Sequence, residues 1–405
     1  MKKVIILIAI AVTQISVSRD AMSQFNINLP TIPKVKKPKP DKVRAEIGET
    51  NNTTTGPVKR SSKLLYEPHW PNGTPVFLKN SVYIQAKSHD EYWKMAGQRN
   101  YSSWVPVLSF SQFYNNDKGL NYTAEYFNPD GTPWYSERLE QSRQAADQTV
   151  SFESPSPWGG VLDSKSTAGT GVYSFKITDQ DTKQIVFQGK FKVGKFSTSS
   201  GPQEKNKAAF FVDHDWLMPF AMIGFHHSLD EVGGMMPEFS IWIKGPASAD
   251  ELEGRIYYKG QQIASSKDPE TASGVSDYDE RSVDYAVSHA PANYWKRWQF
   301  QFGNFRFDNN GSFNRDYYPK AHYADKNPGD YTVKIFRGGV QIRELSFTIG
   351  PDGRFVTPGY SSQIYMPYYR FLVPVKVSGT AEKWNAAAWK TDAFYGNPLT
   401  GFAAQ

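Results

Sequence analysis

The chain has 405 residues, 21% charged and 15% aromatic, and no cysteine. That is a globular composition long enough for two or three cores, and it excludes disulfides, thiolate nucleophiles and zinc–thiolate sites. The formal net charge is +6, yet the leader to Ser23 carries +2 and Gln24 to Lys63 another +6, which leaves about −2 from Leu64 onward; such a body has no basic excess to track a phosphate backbone, so nucleic-acid binding is disfavoured.

In chain order, Met1-Lys2-Lys3 precedes an apolar run from Val4 to Val12 and small residues at Ser16, Ser18, Ala21 and Ser23. This pattern reads as a signal peptide over residues 1–23, cleaved after Ser23 or Ser18; the run is too short for an uncleaved span, and no later segment approaches about 20 apolar residues. A secreted or periplasmic protein without a transmembrane span is expected. Residues 24–64 are rich in Pro, Lys, Thr and Asn with few large apolar side chains, and so read as a disordered, basic, extended linker suited to anionic envelope polymers.

An internal repeat sets the expected fold. "GVYSFKITDQDTKQIVFQGKFKVG" (Gly171 to Gly194) parallels "GDYTVKIFRGGVQIRELSFTIG" (Gly329 to Gly350), each with period-2 alternation on both sides of a polar turn, the pattern of an antiparallel hairpin. In the same order, "VPVLSFSQFY" from Val105 answers "MPEFSIWIKG" from Met236, and "NYTAEYFNPDG" from Asn121 answers "LEGRIYYKGQQ" from Leu252, with Asp130-Gly131 and Lys259-Gly260 as turns. Two all-β modules follow, 65–198 and 199–352, as tandem immunoglobulin-like antiparallel β-sandwiches. Within the second, Trp298, Phe300 and Phe302 alternate before Gly303-Asn304, predicting a hairpin that faces Phe305 and Phe307. The mixed C-terminal extension 353–405 is expected to dock on a module: "YMPYYRFLVPVKVSG" reads as an edge strand because of its prolines, and "TAEKWNAAAWK" as a short helix capped at Thr380.

Chemistry, if present, belongs to "FFVDHDWLMPFAMIGFHHSLDE", Phe210 to Glu231. As a strand, its first part points His214 and Trp216 one way and Asp213 and Asp215 the other, so ligands diverge, and adjacent His226 and His227 also split. A metal-dependent hydrolase using His214, His226 and His227 is therefore the minor reading, and no cofactor is expected. His89-Asp90 is read as the first-module counterpart of His214-Asp215, closing a strand end. "DNNGSFNRD" (Asp308 to Asp316) lacks the Gly and Glu of a calcium loop, no GxSxG, SxxK or phosphate loop occurs, and Asp250, Glu251, Asp277, Asp279 and Glu280 read as solvated carboxylates. Aromatics in predicted loops and the tail remain as ligand-binding candidates: Trp158, Trp295, Trp298, Trp384, Trp389, Tyr365, Tyr368 and Tyr369. The expected function is non-enzymatic binding or scaffolding of a protein or glycan partner at the cell envelope or surface, with carbohydrate recognition by exposed rings as the alternative.

Overall fold

The structure, a computed structural model, describes residues 76–90, 102–113, 120–144, 149–155, 164–197, 208–225, 235–245, 247–277, 295–307, 320–364, 366, 370–379 and 383–405. All of them lie in one compact unit, Thr54–Gln405. The described chain is mostly β. Its first strands are β1 (Val76–Asp90), β2 (Ser102–Phe113), β3 (Tyr122–Phe127), β4 (Pro133–Arg138), β5 (Glu140–Gln144), β6 (Thr149–Glu153), β7 (Gly171–Asp179), β8 (Gln184–Ser197) and β9 (Ala208–Val212). There follow β10 (Phe220–Phe225), β11 (Pro237–Lys244), β12 (Leu252–Tyr258), β13 (Gln261–Ser265), β14 (Gly274–Asp277), β15 (Trp295–Gln301), β16 (Phe305–Arg306), β17 (His322–Tyr323), β18 (Gly329–Arg337), β19 (Val340–Ile349) and β20 (Phe371–Val377).

The sheet order is written twice. Strands β1-β2-β6-β5 form one sheet and β4-β3-β7-β8-β9 its companion; later in the chain β10-β11-β15-β14 and β13-β12-β18-β19 recur in the same adjacency, joined through β20 into a nine-stranded sheet. Register agrees to the residue: Gly171 pairs Val193 as Gly329 pairs Ile349, and the two glycines share a φ of +136° and +137°, a conformation that side-chain-bearing residues rarely adopt. The structure also corrects the sequence alignment by one position. Ala124 pairs Ile177 as Gly254 pairs Ile335, so Tyr122 answers Leu252 and Phe127 answers Tyr257.

Both sets of sheets curl, and each is shut along one side by a different device. In the later half β20 does this alone: Phe371 to Pro374 pair with β10, and Val375 to Val377 pair with β19. Pro374, which has no N–H to donate, sits at the changeover, so this strand is central rather than the edge strand its prolines predicted. In the earlier half β9 pairs only with residues 193–197 of β8. Beyond it the C-terminal segment takes over: Lys190 N donates to the Tyr395 carbonyl at 2.8 Å, and Ile84 N on β1 donates to the Tyr395 hydroxyl at 2.8 Å. Gly189 is needed there, because a Cβ would lie 2.7 Å from that of Tyr395.

Two apolar clusters result. One fills the earlier half and continues through Trp216, Phe220, Met222, Trp242 and Leu372 to Phe394, Tyr395 and Phe402; the other fills the later half around Phe239, Ile241, Phe300, Val333 and Leu345. Strand β10 alternates between them, Phe220 and Met222 facing one and Ala221 and Ile223 the other, and all eight residues of β11 are buried. Strands covered on both faces read as near-continuous apolar runs, which is how "FAMIGF" looks, whereas "PEFSIWIK" also buries Glu238, Ser240 and Lys244.

Two further expectations fail locally. Phe305 N donates to Phe302 O at 2.9 Å, so the Gly303-Asn304 turn forms, but β16 then pairs in parallel with β17 while β15 is taken by β11 and β14. The rings of Phe302, Phe305 and Phe307 are wholly buried, and interior burial outweighs the local hairpin. The described helix of the tail, α1 (Ala388–Thr391), begins eight residues after Thr380, which lies outside the described residues, and its start carries no side-chain cap.

Candidate functional site

The histidine-bearing stretch does form two strands, β9 and β10, but extension stops at Val212. Leu217 N donates to His214 O at 2.8 Å and Met218 N to Asp215 O at 3.2 Å, closing a 3-10 turn over Asp215–Leu217. Period-2 alternation lapses, and His214 and Asp215 both go inside, 3% and 7% exposed.

Asp215 meets Lys244, the last residue of β11, at 2.8 Å between Oδ1 and Nζ. The same ammonium donates to the Lys383 carbonyl and lies 4.4 Å from the Trp295 ring centroid, while Asp215 Oδ2 accepts the Asn385 N–H at 2.7 Å. Desolvating two charges costs several kcal/mol, so a buried pair persists only where such contacts satisfy its remaining protons and lone pairs. The result is a clasp tying the β9–β10 turn, β11 and the C-terminal segment at one point. Its sequence signal was faint: a lysine ending the apolar run "FSIWIK".

His214 adjoins the clasp without bonding to it. Its ring is walled by Tyr83 (centroids 5.1 Å apart), Tyr395 (6.1 Å), Trp216 (6.2 Å) and Trp295 (6.4 Å). Burial disfavours the cation and lowers the pKa to about 3, with the Asp215 charge opposing weakly. A neutral imidazole can ligate a metal, but among the described residues no three His, Asp or Glu side chains converge on a point; His226 and His227 lie outside them. The proposed counterpart fails on topology: His89 is the last residue but one of β1, opposite Ser103, whereas His214 precedes β10.

The ring candidates divide as well. Trp158, Tyr365, Tyr368 and Tyr369 lie outside the described residues. Trp295 and Trp298 are not open platforms: they are 5% and 3% exposed, Trp298 packing in the later apolar cluster and Trp295 lying against Phe211, His214 and the Lys244 ammonium. Trp389 packs on Phe402 at 5.3 Å, and Trp384 is half-buried. Of the paired carboxylates, Glu251 is bound to Arg337 at 3.1 Å near the surface, and Asp279, Glu280 and the Asp308–Asp316 stretch lie outside the described residues.

Another carboxylate, which nothing in the sequence singles out, lies between the sheets of the earlier half. Glu137 on β4 points inward beside Tyr135 and accepts from Tyr126 Oη at 2.8 Å and Ser154 Oγ at 2.6 Å, pinning one sheet of the earlier half to the other. Burial raises its pKa despite those two donors. Tyr135 and Glu137 share the inward parity of β4.

No protein-family model matches the chain, and no curated protein matches it. A solved structure titled "Biofilm associated protein - BSP domain" is similar at 10% identity over 73% of this chain and 63% of that one, with a TM-score of 0.15. The chain thus spans less than two thirds of that structure's length, and at this score the likeness transfers no fold. Among the described residues no helix is long and apolar enough to cross a membrane.

Proposed function

We infer that the chain is an exported, non-enzymatic binding or scaffolding protein of two tandem immunoglobulin-like β-sandwiches, 65–198 and 199–352, tethered by the basic segment 24–64 and clasped by the extension 353–405. The observation that carries this reading is the duplicated sheet order, β1-β2-β6-β5 over β4-β3-β7-β8 and β10-β11-β15-β14 over β13-β12-β18-β19. The grouping most suggestive of chemistry, His214-Asp215, supports it too: the carboxylate is engaged by Lys244 and Asn385, and the imidazole is enclosed by rings. The leader supports a secreted or periplasmic location, and the partner is a protein or glycan of the envelope or surface.

The test mixes the purified mature chain with insoluble envelope material from the producing cell. Saturable co-sedimentation is expected, weakened by deletion of Gln24 to Lys63 without a change in melting profile. A chain left wholly in the supernatant at every concentration overturns the reading. The mature N-terminal peptide should begin at Gln24 or Arg19.

A further inference from the structure

Duplication allows one outward sheet face to be compared with its counterpart, strand for strand. On β12, β18 and β19 the outward positions carry Glu253, Arg255, Asp330, Lys334 and Glu344: two cations against three carboxylates. They neutralise one another, Arg255 with Glu253 at 2.8 Å and Lys334 with Glu344 at 3.7 Å, while Asp330 accepts from Thr348 Oγ1 at 2.6 Å. The matching positions on β3, β7 and β8 carry Glu125, Lys176, Lys190 and Lys192, three cations against one carboxylate. Register gives the individual exchanges: Lys190 stands where the later half has Ser346, Lys192 where it has Thr348, Gln188 for Glu344 and Val172 for Asp330. One face is balanced, and its duplicate is basic within a folded body whose net charge is about −2.

The arrangement of these lysines matters as much as their number. Ser174, small and central, pairs with Lys190 on one side and lies opposite Phe127 on the other; Val172, 50% exposed, pairs with Lys192. Lys176 Nζ lies 4.8 Å from the centroid of the half-buried Phe127 ring. Lys192 has Asp213 at 3.6 Å, and Arg138 on neighbouring β4 adds a further outward cation. Alternate residues along a strand are about 6.7 Å apart and neighbouring strands about 4.8 Å, so the lysines form a closely spaced array around an aromatic and an aliphatic surface. A face offering a ring, a small hydroxyl and ammonium groups in excess of its carboxylates is complementary to a chain of pyranoses bearing carboxylates, whose C–H faces stack on rings while their anions pair with lysine.

We propose that the outward face of β3-β7-β8, centred on Ser174 and bounded by Phe127, Val172, Lys176, Lys190 and Lys192, binds an acidic, uronate-bearing polysaccharide. This deepens the binding function inferred above and rests on it. The test titrates the full mature chain with polygalacturonate, with neutral dextran, and with phosphatidylglycerol vesicles. Binding to the polyuronate alone is expected, weakening as salt rises. The doublet Lys190→Ser with Lys192→Thr, which installs the later half's own residues, should weaken it at least tenfold with an unchanged melting profile, and Phe127→Ala severalfold. Equal binding of dextran removes the ionic claim, and vesicle binding lost with the same doublet assigns the face to a membrane instead. Polyuronate binding that survives the doublet but vanishes on deletion of Gln24 to Lys63 overturns this site while leaving the binding function standing.

Discussion

Acidification should destabilise the protein through His214 in a calculable way. Its folded pKa is lowered from 6.5 to about 3, so the unfolded chain takes up a proton as the pH falls below 6.5 and the folded chain does not. Stability from this residue is complete above 6.5 and declines toward 3. At 1.36 kcal/mol per unit the loss is about 2 kcal/mol between pH 7.5 and pH 5, and reaches roughly 4 kcal/mol at pH 3. The side chain is 3% exposed, so solvent screening does not dilute the effect. The perturbation is His214→Gln, with His214→Phe as a second variant that keeps a ring among Tyr83, Trp216, Trp295 and Tyr395. Urea unfolding at intervals from pH 7.5 to 5 gives the difference in stability between wild type and variant. Repacking contributes a constant offset, whereas the missing titration makes the difference move by about 2 kcal/mol in the variant's favour. A difference that stays flat across this range refutes the enclosure of a neutral imidazole.

The clasp and the C-terminal closure give two more expectations, read from the same unfolding curves at pH 7.5. Lys244→Met strands the Asp215 carboxylate in the interior and should cost about 3–5 kcal/mol, most of it recovered in Lys244→Met with Asp215→Asn; strictly additive effects would show that the pair is not coupled. Tyr395→Phe deprives the Ile84 N–H of its acceptor and should cost about 1–3 kcal/mol. Gly189→Ala, whose added methyl overlaps Tyr395 and Phe175, should cost about as much or more. Wild-type stability in both would mean that the C-terminal segment does not seal the earlier half.

Much of the β architecture is written in local pattern. Tyr173-Phe175-Ile177 and Tyr331-Val333-Ile335 alternate because one side of each hairpin is buried, and that period survives any tertiary context that keeps the side buried. The candidate site was harder to see. Alternation carried through "DHDW" sets Asp215 on the side opposite His214, but the chain leaves the strand at Val212, and nothing local distinguishes "DHDW" in a strand from "DHDW" in a 3-10 turn. Trp295 and Trp298 read as exposed rings because they fall in or beside a predicted loop, whereas both lie on β15 with their rings packed inside, Trp298 in the later cluster and Trp295 against Phe211.

Local pattern carries the repeated hairpins and the separation of a basic N-terminal stretch from a near-neutral body, since periodicity, turn residues and charge are properties of neighbouring residues. Tertiary structure alone decided how the curled sheets close, which charges are buried and which of two duplicate faces is left basic. Those outcomes depend on partners such as Asp215 and Lys244 or Ile84 and Tyr395, 29 and 311 residues apart in the chain. Contacts at such separation leave no periodic mark on either segment, because each residue is chosen by a neighbour it meets only on folding.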